Sequence, residues 1–243
     1  MKQILLLLSF SFLLFTGCKP KSKNTDEKTA VDSLLTIPGY STLIGSYVGG
    51  FGNNKITMLI TRAVADTIEG RSVVGGNDRP FSGTVQFSNG IYTAQAKEPG
   101  DDQYDGAFSF SFNSKVPDSL SGSWKPNNPT AQVQSKDFSL KRRAFVYLVD
   151  VGMYPQASKV LLKDEEVANM LKADLQMMRN EIFARHGYCF KKKELREQFE
   201  DKDWYIPHTV DVKTDLTEIE KKNIALIKRY EKYADEFGDD YGR

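Results

Sequence analysis

Cysteine and histidine are both scarce in this chain of 243 residues, which holds two of each, at Cys18, Cys189, His186 and His208. No pair among them has the short spacing that a zinc ion demands of nitrogen and sulfur ligands, so neither a metal nor any other cofactor is expected. Charge of one sign is lacking as well. Lys and Arg number 33 against 32 Asp and Glu, a formal net charge of +1, and without a single-sign field nucleic acid is not an expected partner. There is no long hydrophobic run either: the most extended, Ile4 to Phe15, is short for a membrane span. The glycine-rich stretch GSYVGGFGNN lacks the lysine of a phosphate loop and leads into a strand pattern. GRSVVGG misses the spacing of a nucleophile elbow. No segment repeats.

What the chain does have begins at its start. Lys2, the apolar run and small residues before Cys18 form the layout of a secretory signal peptide over residues 1–17. Its end, FTGC, resembles the lipobox of bacterial lipoproteins, with Phe15 standing where that pattern usually has a smaller aliphatic residue. The resemblance implies that Cys18 is the lipidation site and the mature N-terminus. Several acyl chains, palmitate among them, anchor stably because each buried CH₂ contributes about 0.8 kcal/mol. The location implied is the bacterial cell envelope, with the membrane as a partner through the lipid. The absence of an acidic cluster after Cys18, a feature that resembles a surface-export tag, favours the periplasmic face of the outer membrane. With Cys18 consumed, Cys189 has no disulfide partner; flanked by Tyr188 and Phe190, it reads as a small buried hydrophobe. Residues 18–37 are polar and aperiodic after the cysteine, a tether that at about 3.3 Å per residue reaches roughly 60 Å.

Over residues 38–145 the hydrophobic period is two. In FSFSF, Phe108, Phe110 and Phe112 share one face and Ser109 and Ser111 the other; Ile56, Met58 and Ile60 oppose Thr57, Leu59 and Thr61. Turn signals recur every eight to twelve residues or so and predict eight strands near 44–50, 55–62, 67–74, 80–87, 91–97, 106–113, 119–125 and 136–143. Eight short antiparallel strands joined by tight turns point to an up-and-down β-barrel, with a two-sheet sandwich as the alternative. The order of SYVGGF, ITMLI, EGRSVV, FSGTV, YTAQAKE, GAFSFSF, LSGSWKP and DFSLKRR resembles small lipocalin-like domains of bacterial envelope proteins. A barrel of this size is either filled by side chains or holds one small ligand. Gly49, Ala94, Ala96 and Gly122 argue for a hollow, the three phenylalanines for a plug.

The period then becomes helical, which makes the fold class multidomain, β followed by α. Residues 146–165 read as a connector with a first short helical segment, 166–234 as a domain of three to four helices and 235–243 as a polar tail. Leu171, Leu175, Met178 and Ile182 mark the first long helix, Leu195 and Phe199 a short second one, and Ile219, Leu226, Ile227 and Tyr230 a third. Thr217 with Glu220 fits a capping box, with Asp215 and Glu218 an equally spaced competitor; Phe190 and Leu195 are spaced as a hydrophobic staple, with Glu194 at the third position of the second helix. Along the first long helix Leu175, Arg179, Ile182 and His186 form one stripe. Glu181 precedes Arg185 by four residues, the favourable order for an ion pair. Arg185 and His186 fall in its last turn, where cations answer the helix dipole, and Gly187 is placed for a left-handed cap with Tyr188 packing back.

RNEIFARHGYCF, then ELREQFEDKDWYIP, then LTEIEKKNIALIKRYEKY resembles the YARHG domain of bacterial envelope proteins over about Tyr154 to Tyr233, with Phe183 in place of the tyrosine that gives the domain its name. The resemblance implies an extracytoplasmic helical module without an established activity. Arg179, Asn180, Glu181, Arg185 and His186 are therefore either a buried polar network or a binding face. Trp204 and Tyr205 are either a plug of the helical core or an exposed pair that binds glycan or peptide. Glu181 and His186, five apart, fall on different faces of a helix, and Cys189 reads as a buried hydrophobe and not a nucleophile, so an enzyme is not expected. The expected function is a non-catalytic interaction module for an envelope protein or glycan, with a carrier of a small apolar ligand in the barrel, an envelope enzyme or its inhibitor as alternatives.

Overall fold

The structure, a computed structural model, describes residues 39–237. The lipobox, the tether and the end of the polar tail lie outside the described residues. Eight antiparallel strands, β1 Gly45–Phe51, β2 Asn54–Val64, β3 Thr67–Val74, β4 Asn77–Ser88, β5 Ile91–Lys97, β6 Gly106–Asn113, β7 Val116–Pro126 and β8 Lys136–Arg142, follow one another around a closed barrel. Closure comes from β1 against β8, where Tyr47 faces Arg142 and Gly49 faces Leu140. The barrel, not the sandwich, is the fold.

Two strands begin earlier than their turn signals suggest, each through a proline. The β3–β4 hairpin turns on Gly75 and Gly76, both at positive φ (60° and 81°), so the strand already runs through Asn77 and Pro80. Pro80 pairs with Arg71 on β3, while pairing with β5 begins only at Ser82, so its missing N–H deprives no neighbour of a bond. Pro117 sits where the register of β7 against β6 jumps from Asn113↔Val116 to Phe112↔Leu120.

The barrel is filled. Phe108, Phe110, Phe112, Ile56, Met58, Ile60, Tyr47, Tyr92, Trp124 and Phe138 point inward into one buried cluster. The small residues are there to admit these rings. A Cβ on Gly122 would lie 2.1 Å from the Ser109 carbonyl oxygen and 2.6 Å from Phe110 Cβ. Such a close cross-strand approach is available only to glycine.

Five helical segments follow: the single turns α1 Gln156–Lys159 and α2 Asp164–Val167, then α3 Lys172–Arg185, α4 Lys193–Phe199 and α5 Glu218–Phe237. The stripe of α3 does face α5, with Leu175, Met178 and Ile182 in one core with Ile224 and Ile227. Leu171 does not join it: it caps the helix and stays exposed. Thr217 and Glu220 form the reciprocal box at the start of α5, each backbone N–H donating to the other's side chain at 2.9 and 3.2 Å. The staple is displaced. With Lys192 as N-cap of α4, Phe190 is two residues before the cap, Leu195 is the third helical residue and Glu194 the second, although Phe190 and Leu195 still pack in one cluster.

Helical segment and barrel dock through polar contacts on the outer wall of β2 and β3. Lys55 Nζ donates to the Lys202 and Tyr205 carbonyls at 2.9 and 3.2 Å, and its backbone N–H donates to Glu200 Oε2 at 2.9 Å. Arg71 Nη2 donates to the His208 carbonyl at 3.0 Å, and the His208 ring stacks on Phe145 with centroids 4.8 Å apart. The outward residues Val48, Thr57 and Val73 are buried on this wall.

Burial pushes the Glu200 carboxyl up to about 7, because its Lys55 hydrogen bond and the charges of Arg196 and Lys55 only partly offset desolvation. Its Oε1 is buried without a partner among the described residues. The folded chain thus holds this proton more tightly than the unfolded chain, whose ordinary value is 4.5. The stabilisation is complete below about pH 4.5 and lost as pH rises through about 7. Glu200→Gln is expected to flatten this slope: urea midpoints match wild type near pH 4 and exceed it near pH 8. Parallel pH profiles for the two proteins would refute the assignment.

Candidate functional site

Helix α3 ends as a Schellman motif. Gly187 takes φ 70°, Tyr188 N–H donates to the Phe183 carbonyl at 3.0 Å and Gly187 N–H to that of Ala184 at 2.9 Å, and the Phe183 and Tyr188 rings touch. This cap sends the chain back towards the barrel wall and leaves α3 with two working faces.

One face is internal. Glu181 and Arg185, 3% and 0% exposed, pair at 2.9 Å. Glu181 also accepts the backbone N–H groups of Met153 and Tyr154 at 2.7 and 2.8 Å. Arg185 donates to the Val151 carbonyl and the Ser158 hydroxyl at 2.9 and 3.0 Å. Together they pin the segment before α1 onto α3. Gly152, at φ 93°, permits that approach, since a Cβ there would meet Glu181 Oε2 at 2.6 Å. His186 Nε2 lies 2.8 Å from Glu220 Oε2, its ring stacked on Tyr147, whose hydroxyl donates to Glu220 Oε1 at 3.0 Å. Burial opposes the Glu220 charge, but hydrogen bonds from His186, the Thr217 backbone and Ser158 outweigh it and hold the carboxyl down at about 2. Glu181, Arg185 and His186 therefore tie the helices together, every charge spent on the protein itself.

The other face is open. Arg179 and Asn180 line a groove of about 1090 Å³ between α3, α4 and α5. Its apolar surface includes Phe183, Phe190, Leu195, Val212 and Ile224. Six cationic side chains, Arg179, Lys191, Lys192, Lys213, Lys221 and Lys228, line it against two carboxylates, Glu194 and Asp211. Arg179 is already paired with Glu231 at 2.8 Å. Lys191, Lys192 and Lys228 are exposed and have no ion pair among the described residues. Asn180 is the exception in the groove: it is 6% exposed, and its side-chain amide has no hydrogen bond within the described residues. Its amide nitrogen and oxygen still reach the groove, where a ligand can supply both a donor and an acceptor.

Trp204 and Tyr205 are not an exposed pair. Tyr205 is fully buried, its hydroxyl donating to the Tyr188 carbonyl at 2.8 Å, and Trp204 is half-buried with its ring edge-on to Phe199. Both belong to the cluster under α4. Cys189 is buried beside them; desolvation pushes its thiol up to about 11, and it accepts the Gly76 N–H at 3.2 Å. That environment makes it inert as a nucleophile.

The arrangement is a closed barrel with a docked helical unit whose free face is an apolar groove with a cationic rim. Residues 152–232 match the YARHG domain. No curated protein matches the chain, and no solved structure does. Of the groove's key features, the run Lys191-Lys192-Lys193 after Phe190 was a visible signal; the pairing of that run with Asn180 across α3 and α4 is a product of the fold.

Proposed function

We propose that the protein is a lipid-anchored, non-catalytic binding module of the bacterial envelope that holds an extended segment of a partner polypeptide, acidic and apolar in its side chains, in the groove of its helical unit. The observation that carries this reading is the Asn180 amide, which has no hydrogen bond among the described residues, beside an apolar floor and a net positive rim. An asparagine amide offers a donor and an acceptor side by side, which matches a peptide unit, while apolar pockets and charge select the side chains. The test is a peptide-display selection against the purified full chain, from an unbiased library. Enriched peptides are expected to combine acidic and apolar residues and to lose about tenfold in affinity to the double variant Lys191→Glu, Lys228→Glu. Enrichment indifferent to peptide charge would count against the groove.

The envelope placement rests on the signal pattern ending at Cys18. Cells fed radiolabelled palmitate are expected to label the wild-type chain and not Cys18→Ser. Equal labelling of both proteins would remove the anchor from this reading.

A further inference from the structure

At the end of the barrel nearest α4 the filled interior opens into a second recess, of about 410 Å³, walled partly by Lys191 and Arg196 of the helical unit. Its floor is aromatic, made of Phe51, Phe108 and Trp124. Most of its charges are engaged. Glu98, 2% exposed, accepts from the Ser72 hydroxyl at 2.5 Å, the Gly106 N–H at 2.9 Å and Trp124 Nε1 at 3.3 Å. Arg79 pairs with Asp105 at 2.8 Å, and Arg196 donates to Asn54 Oδ1 at 3.0 Å and to the Lys191 carbonyl.

Lys136 is different. Its ammonium stands 4.5 Å above the Phe51 ring and 5.6 Å above that of Trp124, and no carboxylate meets it among the described residues. Desolvation lowers its pKa, the mark of a half-buried cation without a counterion. Lys191 across the recess is likewise without an ion pair among the described residues. An unpaired ammonium over an aromatic floor, with a second unpaired lysine in the wall of a recess of ordinary ligand size, forms a set that recognises a flat apolar body bearing one negative group.

We infer that this barrel-mouth recess is a binding site for a small aromatic anion, with its carboxylate, sulfonate or phosphate between Lys136 and Lys191 and its rings against Phe51 and Trp124. The site shares Lys191 with the rim of the polypeptide groove and is otherwise built from other residues. Trp124 makes it measurable. In a Trp204→Phe background of the full chain, whose folding is checked by thermal unfolding, Trp124 is the sole tryptophan donor for energy transfer to the probe anilinonaphthalene sulfonate. Saturable transfer is expected. Lys136→Gln is expected to weaken binding about tenfold, Lys136→Arg to keep it within about threefold, and the uncharged phenylnaphthylamine to bind about tenfold more weakly than the sulfonate. Lys213→Gln, on the groove rim, is expected to leave the titration unchanged. No transfer from Trp124, or equal affinity in Lys136→Gln and wild type, would overturn the assignment; sensitivity to Lys213→Gln would place the probe in the groove instead.

Discussion

Glu181→Ala is expected to lower the stability of the folded chain by about 3–5 kcal/mol, the range for breaking a buried ion pair by removing one partner. The carboxylate meets a guanidinium that is 0% exposed and two backbone N–H groups from the preceding segment, at Met153 and Tyr154. Its removal leaves Arg185 charged in the interior and orphans two donors. Asn180→Ala, one residue earlier on the same helix, is expected to do the opposite: thermal stability stays level or rises, because the amide has no hydrogen-bond partner to lose among the described residues. Urea denaturation of the two variants side by side measures this contrast. Equal losses would mean that Asn180 serves the fold as Glu181 does, and the groove would lose its distinguishing residue.

Phe110→Ala is expected to cost about 3–5 kcal/mol, as for other buried rings. Phe110 is 2% exposed, packs edge-on to Phe112 at 5.6 Å and faces Gly122 across β6 and β7. The residue opposite has no side chain with which to fill the space, and the neighbouring backbone is already in contact. The cavity therefore persists. Equilibrium urea unfolding followed by near-UV dichroism reads the loss. A change below about 1 kcal/mol would mean that the barrel interior is loosely packed and not filled.

The barrel was legible because its strands obey one rule over and over. Alternation at Phe108–Phe112 and Ile56–Ile60 assigns both faces, and turn residues mark most ends. What misled were the prolines. Pro80 and Pro117 look like strand breakers, yet each lies where one flank of its strand is unpaired, and that depends on neighbours far along the chain. Whether the barrel is hollow was undecidable from composition, since glycine opposite phenylalanine means a void or a close approach depending on register.

In the helical unit, local chemistry was readable and distant partners were not. The Glu181–Arg185 spacing and the Thr217–Glu220 box are both visible as short patterns. That Glu220 also receives His186, 34 residues away, follows only from packing α3 on α5. The stretch RNEIFARHG accordingly divides: Arg179 and Asn180 face the groove, while Glu181, Arg185 and His186 are committed inside. Docking of the helices on the barrel left little hydrophobic trace, because polar contacts at Lys55 and Arg71 carry much of it. Glu98 and Lys136, both central to the barrel mouth, lie at strand ends where isolated charged residues look like ordinary solvated surface.

The most direct test of the polypeptide groove is the side-chain amide of Asn180 itself. In the full chain labelled with ¹⁵N at asparagine, the Asn180 amide resonances are assigned by their loss in Asn180→Ala and followed while the tightest display-selected peptide is added. Expected are a large shift of these resonances, slowed exchange of their protons with water, and about tenfold weaker binding of the same peptide by Asn180→Ala. Resonances that stay in place while the peptide saturates the protein would put the binding face elsewhere and contradict it.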